Sequence, residues 1–311
     1  MTEADREHWR RKLKKCGRHA ALPAAAQLLR HPVRCGLPGA RRLRSWRHRG
    51  LRRLARAVTF WDQEMLVALP EEVSVSLRRH GFVEYDLTAC LLSLIRPGAT
   101  VLDVGAHIGY FSLLAGALAG PAGRVVAFEP TPATLTVLRD NARRAGNVTV
   151  VPAAAWSTEG ELTLHDHGPG YSAYNSAFQA RLPEVVRARV PVEVRKVRAM
   201  RLDDYVREHA LAVDLVKIDA ESAESHVLRG MRTLLSERRL VISLEVGDLD
   251  VPGVPTSREL VDTLRAAGYH PYEPHDGRLR RHEPRAEYGY QNLIFLPERN
   301  GHERTEPACM T

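Results

Sequence analysis

Residues 101–113 read VLDVGAHIGYFSL: a short apolar run holding one acid, then Gly105, then Gly109 where an amphipathic stretch begins. A buried strand that ends near an acid, turns on glycine and feeds a helix restricts the chain to folds that repeat such units around a sheet. The pattern does repeat. ATVLDV (99–104), RVVAFE (124–129) and NVTVV (147–151) read as strands. Between them, Phe111, Leu114, Ala115 and Leu118 share one helical face. The next helix spans 131–146, with Thr131 as N-cap, Pro132 in the first position and Gly146 as the stop. ELTLH (161–165) and PVEVRKV (191–197) alternate and read as half-exposed strands flanking a loop. AVDLVKID (212–219) and RLVISLEV (239–246) are buried strands around a helix from Glu224 to Leu235. Thr256 and Glu259 form a capping box for a helix ending near Gly268, and YHPY (269–272) and NLIFL (292–296) finish the sheet. Strands alternating with crossover helices predict an α/β fold: a doubly wound, mostly parallel sheet with helices on both faces. The last two strands lack a strong helix between them and predict an antiparallel edge.

The net charge is +8, but residues 1–57 hold 17 Lys/Arg against 3 Asp/Glu, so residues 58–311 carry −6. The expected organisation is an Arg-rich extension over 1–57, helical or disordered, a helical lead-in over 58–98, the main domain over 99–300 and a tail over 301–311. RRLRSWRHRGLRRLARA (41–57) is the densest basic part. It reads as a solvated segment at the domain edge, with nucleic acid, acidic lipid or phosphorylated ligands as the other readings. No apolar run is long enough to span a membrane, and no signal-peptide core is visible. The four cysteines are scattered without metal-ligand spacing, which suits free thiols and a cytoplasmic location. A homo-oligomer is compatible with all of this.

In doubly wound sheets, ligands bind outside the carboxyl ends of the strands. Here those ends carry Asp103, Glu129, Asp219 with Glu221, and Glu245. Core packing does not require four acidic strand ends. A diphosphate-binding turn would read GxGxxG, but His107 stands where its middle glycine belongs, and the acid before the turn would repel phosphate. The turn Asp103, Gly105, Ala106, His107, Gly109 suits a cationic or zwitterionic ligand, and S-adenosyl-L-methionine has an ammonium, a sulfonium and no phosphate. Glu129 is placed to accept hydrogen bonds from ribose hydroxyls.

The chain resembles the FkbM family of S-adenosylmethionine-dependent methyltransferases, of the class I Rossmann-like type. The matching stretches are PGATVLDVGAHIGYFSL (97–113), VVAFEPTPATLTVLRDNA (125–142), RLDDYV (201–206), DLVKIDAESAESHVLRGM (214–231) and VISLEV (241–246). The resemblance covers roughly residues 80–297. It implies Asp103, Gly105 and Gly109 at the cofactor turn, Glu129 on the ribose, and Asp219 and Glu221 at the reaction end. Glu84 matches a glutamate that often precedes the first motif. Ser222 departs from the family's usual glycine after the DxE.

Methyl transfer to a hydroxyl needs alignment and a proton acceptor. Asp219 and Glu221 are the candidates. The plainer alternative is that Asp219 holds an ammonium or Lys217 and that Glu221 caps the next helix. In HDHGPGYSAYNS (165–176), His165, His167, Tyr171 and Asn175 offer hydrogen bonds to a polyhydroxylated acceptor. His165 and His167 as a metal pair lack a third ligand, so no metal is expected. The resulting expectation is O-methylation of a small-molecule (natural-product) or glycan hydroxyl. The rivals are a nucleic-acid methyltransferase guided by the basic N-terminus, an NAD-dependent oxidoreductase, and a non-catalytic binding protein that keeps the fold. No Asn-Pro-Pro-Tyr sequence and no aromatic-rich basic sheet supports the first.

Overall fold

The computed structural model describes residues 1–23, 27, 53–168, 170–180, 184–237, 239–248 and 251–298. Helix α1 (Glu3–Ala20) starts at a capping box in which Thr2 and Asp5 satisfy each other's backbone N–H groups. A hairpin follows, β1 (Arg53–Val58) and β2 (Glu64–Leu69), paired from Arg53↔Leu69 to Val58↔Glu64. Then come α2 (Glu72–His80) and α3 (Tyr85–Leu94). Helix α1 is fastened to this group. Leu13 is buried, and the buried Arg6 donates to the Leu92 carbonyl near the end of α3 at 2.6 Å.

Two sequence expectations change here. The lead-in over 58–98 does not open as helix, and the boundary at residue 57 falls inside a strand. Met65 and Val67 alternate inward along β2, and this short period-2 signal is easily overlooked. The Asn141 side chain fixes the hairpin to the main domain by bonding both Leu66 N and Leu66 O, at 2.6 and 2.9 Å. Most of the basic run 41–57 lies outside the described residues.

The main domain runs β3 (Thr100–Val104), α4 (Tyr110–Ala119), β4 (Arg124–Phe128), α5 (Pro132–Ala142) and β5 (Val148–Val151). After β6 (Ala154–Ala155), β7 (Gly160–Asp166) and β8 (Glu193–Met200) come α6 (Leu202–Glu208), β9 (Leu215–Ile218), α7 (Glu224–Gly230), α8 (Arg232–Glu237) and β10 (Val241–Val246). The chain ends with α9 (Ser257–Ala266), β11 (Tyr269–His275), β12 (Arg278–Arg281) and β13 (Gln291–Pro297). The eight-stranded sheet has the order β12-β11-β13-β10-β9-β3-β4-β5. Its pairs from β10 to β5 are parallel, and β11, β12 and β13 add the antiparallel edge. Strands β6, β8 and β7 form a separate three-stranded sheet, so ELTLH and PVEVRKV pair with each other.

Alternation along the strands sorts the core into two layers. Val101, Val125 and Leu215 join a layer with α1, α3 and α4, while Leu102, Val126 and Val216 join one with α6, α7 and α9. Burial of each such side chain contributes about 1.5–3 kcal/mol. The helix expected over 224–235 is broken at Met231. A Cβ on Gly230 would lie 2.0 Å from the Trp156 carbonyl oxygen, so only glycine lets the helix lie this close just before the break. Asp203 then caps α8 from outside, accepting from Thr233 N and Leu234 N at 3.0 and 3.1 Å, which gives RLDD a structural role. Among the described residues, no helix is long and apolar enough to cross a membrane.

The chain leaves β3 towards β4 and β5, then returns on the other side of β3 as β9. This reversal opens a crevice at the carboxyl ends of β3 and β9.

Candidate functional site

The crevice begins at the turn after β3. Gly105 has φ +75°, and a Cβ there would sit 1.7 Å from the Asp219 carbonyl oxygen. Only glycine permits this approach between the ends of β3 and β9. The Gly105 and Ala106 N–H groups both donate to the Phe128 carbonyl, at 3.1 and 3.0 Å. His107 is also left-handed, at φ +51°. Its N–H donates to Glu129 Oε2 at 3.0 Å, and the Thr131 N–H donates to Oε1 at 2.8 Å. The Glu129 carboxylate therefore ties the two turns together. Burial raises its pKa, while His107 and the Thr131 N–H pull in the opposite direction.

A cavity with about 1060 Å³ of empty space, part of it open to solvent, fills the crevice. Gly105, Ala106, His107, Glu129, Asp219 and Glu221 all line it. Two residues expected at the cofactor turn do not. Gly109 is the N-cap of α4, where a Cβ would meet Leu138 Cδ1 at 2.6 Å, so it serves helix packing. Asp103 is almost fully buried and accepts from Ser112 Oγ at 2.5 Å, because its place on β3 aims it at the first turn of α4.

Asp103 is linked to the cavity through Lys217. The Lys217 ammonium donates to Asp219 Oδ2 at 2.8 Å, lies 3.9 Å from Asp103 Oδ1 and stands 4.8 Å from the centre of the Phe111 ring. Burial pulls its pKa down, but Asp219, Asp103 and Glu84 outweigh burial and hold it up. Burial raises Asp103, and Lys217 and Ser112 oppose that. A Lys217→Met variant leaves Asp103 and Glu84, both raised by burial, without the cation that opposes the rise. They respond by taking protons, which limits the damage to about 2 kcal/mol near neutral pH. The sign follows from linkage: folded-state carboxyls raised further above their unfolded values lose stability as pH rises. Urea unfolding should show the variant falling further behind wild type from pH 5 to pH 8.

At the outer side, Asp219, Glu221 and Glu245 each bring a carboxylate oxygen within 4.8 Å of the others. This is close enough for a cation to be shared, although the Lys217 ammonium already engages Asp219. Burial, Asp219 and Glu221 push Glu245 well up, and a hydrogen bond from Tyr290 opposes them. Burial and then Glu245 raise the Tyr290 phenol. The backbone here is left-handed at Glu221 (φ +46°) and Ser222 (φ +78°). Ser222 thus adopts a glycine-like conformation at a cost of about 1–2 kcal/mol. Glu224 pins this turn: its Oε1 accepts from Ala220 N and Ser222 N at 3.1 and 3.3 Å.

The loop after β7 straps across the cavity. His107 Nε2 lies 3.0 Å from Ser172 Oγ, Tyr174 donates to Glu72 at 3.0 Å, and Ser176 Oγ donates to the Glu221 carbonyl at 2.5 Å. Of the four residues expected to face an acceptor, Asn175 lines the cavity; His165, His167 and Tyr171 do not. Strand alternation explains this. Leu162 and Leu164 face the cavity, so His165 points away, while Asp166 pairs with Arg195 at 2.9 Å. His167 is buried behind the loop and Tyr171 is turned to solvent.

Tyr290, Trp156, Ser172 and Ser176 stand in the cavity wall with no role expected from the sequence, and Lys217 stands there too, expected only as a partner held by Asp219. A charged residue inside the apolar run LVKI was the available signal for Lys217.

The methyltransferase FkbM domain profile matches residues 103–271, more than half of the chain. The chain is 30% identical over 197 residues to the 31-O-demethyl-FK506 methyltransferase FkbM of Streptomyces tacrolimicus, covering 56% of this chain and 74% of that protein. It is 31% identical over 207 residues to the AMB antimetabolite synthetase AmbE of Pseudomonas aeruginosa, covering 57% of this chain but only 10% of that far longer protein. Among solved structures, the methyltransferase FkbM from Methylobacillus flagellatus KT is similar with a TM-score of 0.41 and 16% identity, covering 71% of this chain and 52% of that one. With its FkbM domain profile carried on a doubly wound sheet whose strand ends form an acidic crevice, the chain belongs to the FkbM methyltransferase family.

Proposed function

We propose that the protein transfers a methyl group from S-adenosyl-L-methionine to a hydroxyl of a small molecule, such as a natural product, or of a glycan. The observation that carries this reading is the Glu129 carboxylate, fixed by two backbone N–H groups beside the Gly105 turn. Two of its lone-pair directions remain for ribose hydroxyls. The residues present fit a zwitterionic adenosyl ligand: an acid at each neighbouring strand end, one buried ammonium, and a glycine turn that admits close backbone approach. The printed name of the Streptomyces relative specifies methylation at an oxygen, which supports a hydroxyl acceptor.

The bound cofactor supplies a methyl group already activated by the sulfonium. The chain then has to align donor and acceptor and move one proton. In our reading, Glu129 and the Gly105–His107 turn hold the nucleoside. Asp219 is oriented by Lys217 and fixes the reacting end. Glu221 lines the cavity next to Asp219 and accepts the hydroxyl proton. The strap from Ser172 to Ser176 covers the mouth and limits access of water.

The experiment is methyl transfer from labelled cofactor to a panel of hydroxylated acceptors. A Glu221→Gln variant should lose about 100-fold in turnover while binding S-adenosylhomocysteine normally. Unchanged turnover in that variant removes Glu221 from the proton step.

A further inference from the structure

We propose that the basic surface formed by α1 and the β11–β12 turn docks on anionic lipid headgroups and holds the protein against a membrane surface beside the mouth of its crevice. This goes beyond the methyl-transfer reading and does not depend on it. The surface lies outside the residues that the family profile matches: α1 spans Glu3–Ala20, and the turn follows His275.

Helix α1 turns one face inward and a cationic face outward. Arg6 and Leu13 are buried, and a Cβ on Gly17 would meet Tyr85 Cε2 at 2.6 Å, so this face packs on the body of the protein. Arg11, Lys14, Lys15 and Arg18 follow at i, i+3, i+4 and i+7, share the opposite face and are all exposed. The acids Glu3, Asp5 and Glu7 belong to the first turns, so the second half of the helix is basic. Glu7 lies 3.7 Å from Arg11 and Asp276 lies 3.4 Å from Lys14. Both pairs are exposed, and such pairs hold weakly. Lys15 and Arg18 form no ion pair with any described residue.

Strand directions put this face at the crevice end of the sheet. β13 is antiparallel to β10, and β11 is antiparallel to β13. β11 therefore runs with β10, and its turn into β12 comes at the carboxyl ends of the parallel strands. Asp276 in that turn accepts from Tyr85 Oη at 2.9 Å while it faces Lys14. Tyr85 follows Glu84, which lines the cavity. Leu279 on β12 faces the layer that holds α1, and Arg281 shares its face and is exposed. Three features favour lipid over nucleic acid. The stripe holds no aromatic ring to stack on bases. The acidic crevice beside it would repel a phosphodiester chain. The hairpin, whose turn meets α1 through the Lys12–Asp62 ion pair, keeps Leu54 and Val58 exposed at 51% and 43%, with exposed Arg56 between them. Apolar tips beside arginines suit the headgroup boundary of a bilayer.

Sedimentation of the full chain with sucrose-loaded vesicles tests this. The protein should pellet with phosphatidylcholine vesicles that contain phosphatidylglycerol and not with phosphatidylcholine alone, and the binding should fall as salt rises. A variant carrying Lys14→Gln, Lys15→Gln and Arg18→Gln should bind the mixed vesicles about 100-fold more weakly, the loss expected for three cations near an anionic surface. A second variant, Arg11→Gln with Arg281→Gln, leaves the Lys14 pair in place and should lose about 30-fold. The control removes three exposed cations from α5 instead, through Arg139→Gln, Arg143→Gln and Arg144→Gln. It should bind like wild type, and circular dichroism should show all the variants folded. Wild-type binding by both surface variants overturns the proposal, as does a control that loses as much as they do, or a wild type that pellets with neither vesicle. A gel shift with RNA that the first variant loses, without vesicle binding by wild type, assigns the surface to nucleic acid and overturns it too.

Discussion

Alanine at Gly105 is expected to abolish cofactor binding and to lower stability by more than about 4 kcal/mol. The added Cβ would lie 1.7 Å from the Asp219 carbonyl oxygen, in a backbone conformation that alanine rarely adopts. The left-handed conformation by itself costs about 1–2 kcal/mol. The rest comes from what must move. Asp219 N donates to the Val104 carbonyl at 3.2 Å, so pushing the Asp219 carbonyl away strains the β3–β9 pairing and the Lys217 contact beside it. Gly98 is the control. It has a similar φ of +84°, but a Cβ there meets nothing within 4 Å. Gly98→Ala should therefore show only the conformational cost, about 1 kcal/mol. Urea unfolding of the two variants measures the difference. Equal losses would show that the contact at Gly105 is not what makes glycine necessary.

Replacing Glu129 with glutamine should weaken S-adenosylhomocysteine binding by about 100- to 1000-fold. The wild-type carboxylate is acceptor-only and takes N–H groups from His107 and Thr131 on its two oxygens. An amide has one acceptor oxygen, so its NH₂ must face one of these donors and the turn has to shift. The proposed charged hydrogen bonds to ribose would be lost as well, at about 1.5–3 kcal/mol each. Calorimetry reads the change in affinity, and circular dichroism should show the fold retained. Binding within about threefold of wild type would remove Glu129 from the nucleoside site, since even one charged hydrogen bond is worth more than that.

Most of this architecture was legible because its signals are local. The glycine turn after β3, the capping box at Thr256, the acids after β4 and β9 and the acid near the end of β10 can each be read in windows of a few residues, and the glycine turn and the acids after β4 and β9 line the crevice. The antiparallel edge followed from the missing helix before the last strand. Other features depend on which distant segments meet. Glu84 reaches Asn292 only because β13 lies beside β10. His165 looks like a ligand in isolation, yet the face of β7 that packs over the cavity belongs to Leu162 and Leu164. The interruption of the helix at Met231 follows directly on the close approach of Gly230 to the Trp156 carbonyl, and Trp156 is far away in sequence. Ser222 was visible as a departure from the family's glycine. Its φ of +78° gives that departure a physical meaning: the turn beside Glu221 is built on a left-handed serine.

The proposed function requires that this crevice recognise a cationic nucleoside through its acidic strand ends. Titrating the wild-type protein in parallel with S-adenosylmethionine and with NAD tests it most directly. One molecule of the adenosyl-sulfonium should bind per chain, with no measurable heat from the dinucleotide. Saturable binding of NAD, with no response to either S-adenosylmethionine or its demethylated product, would contradict it.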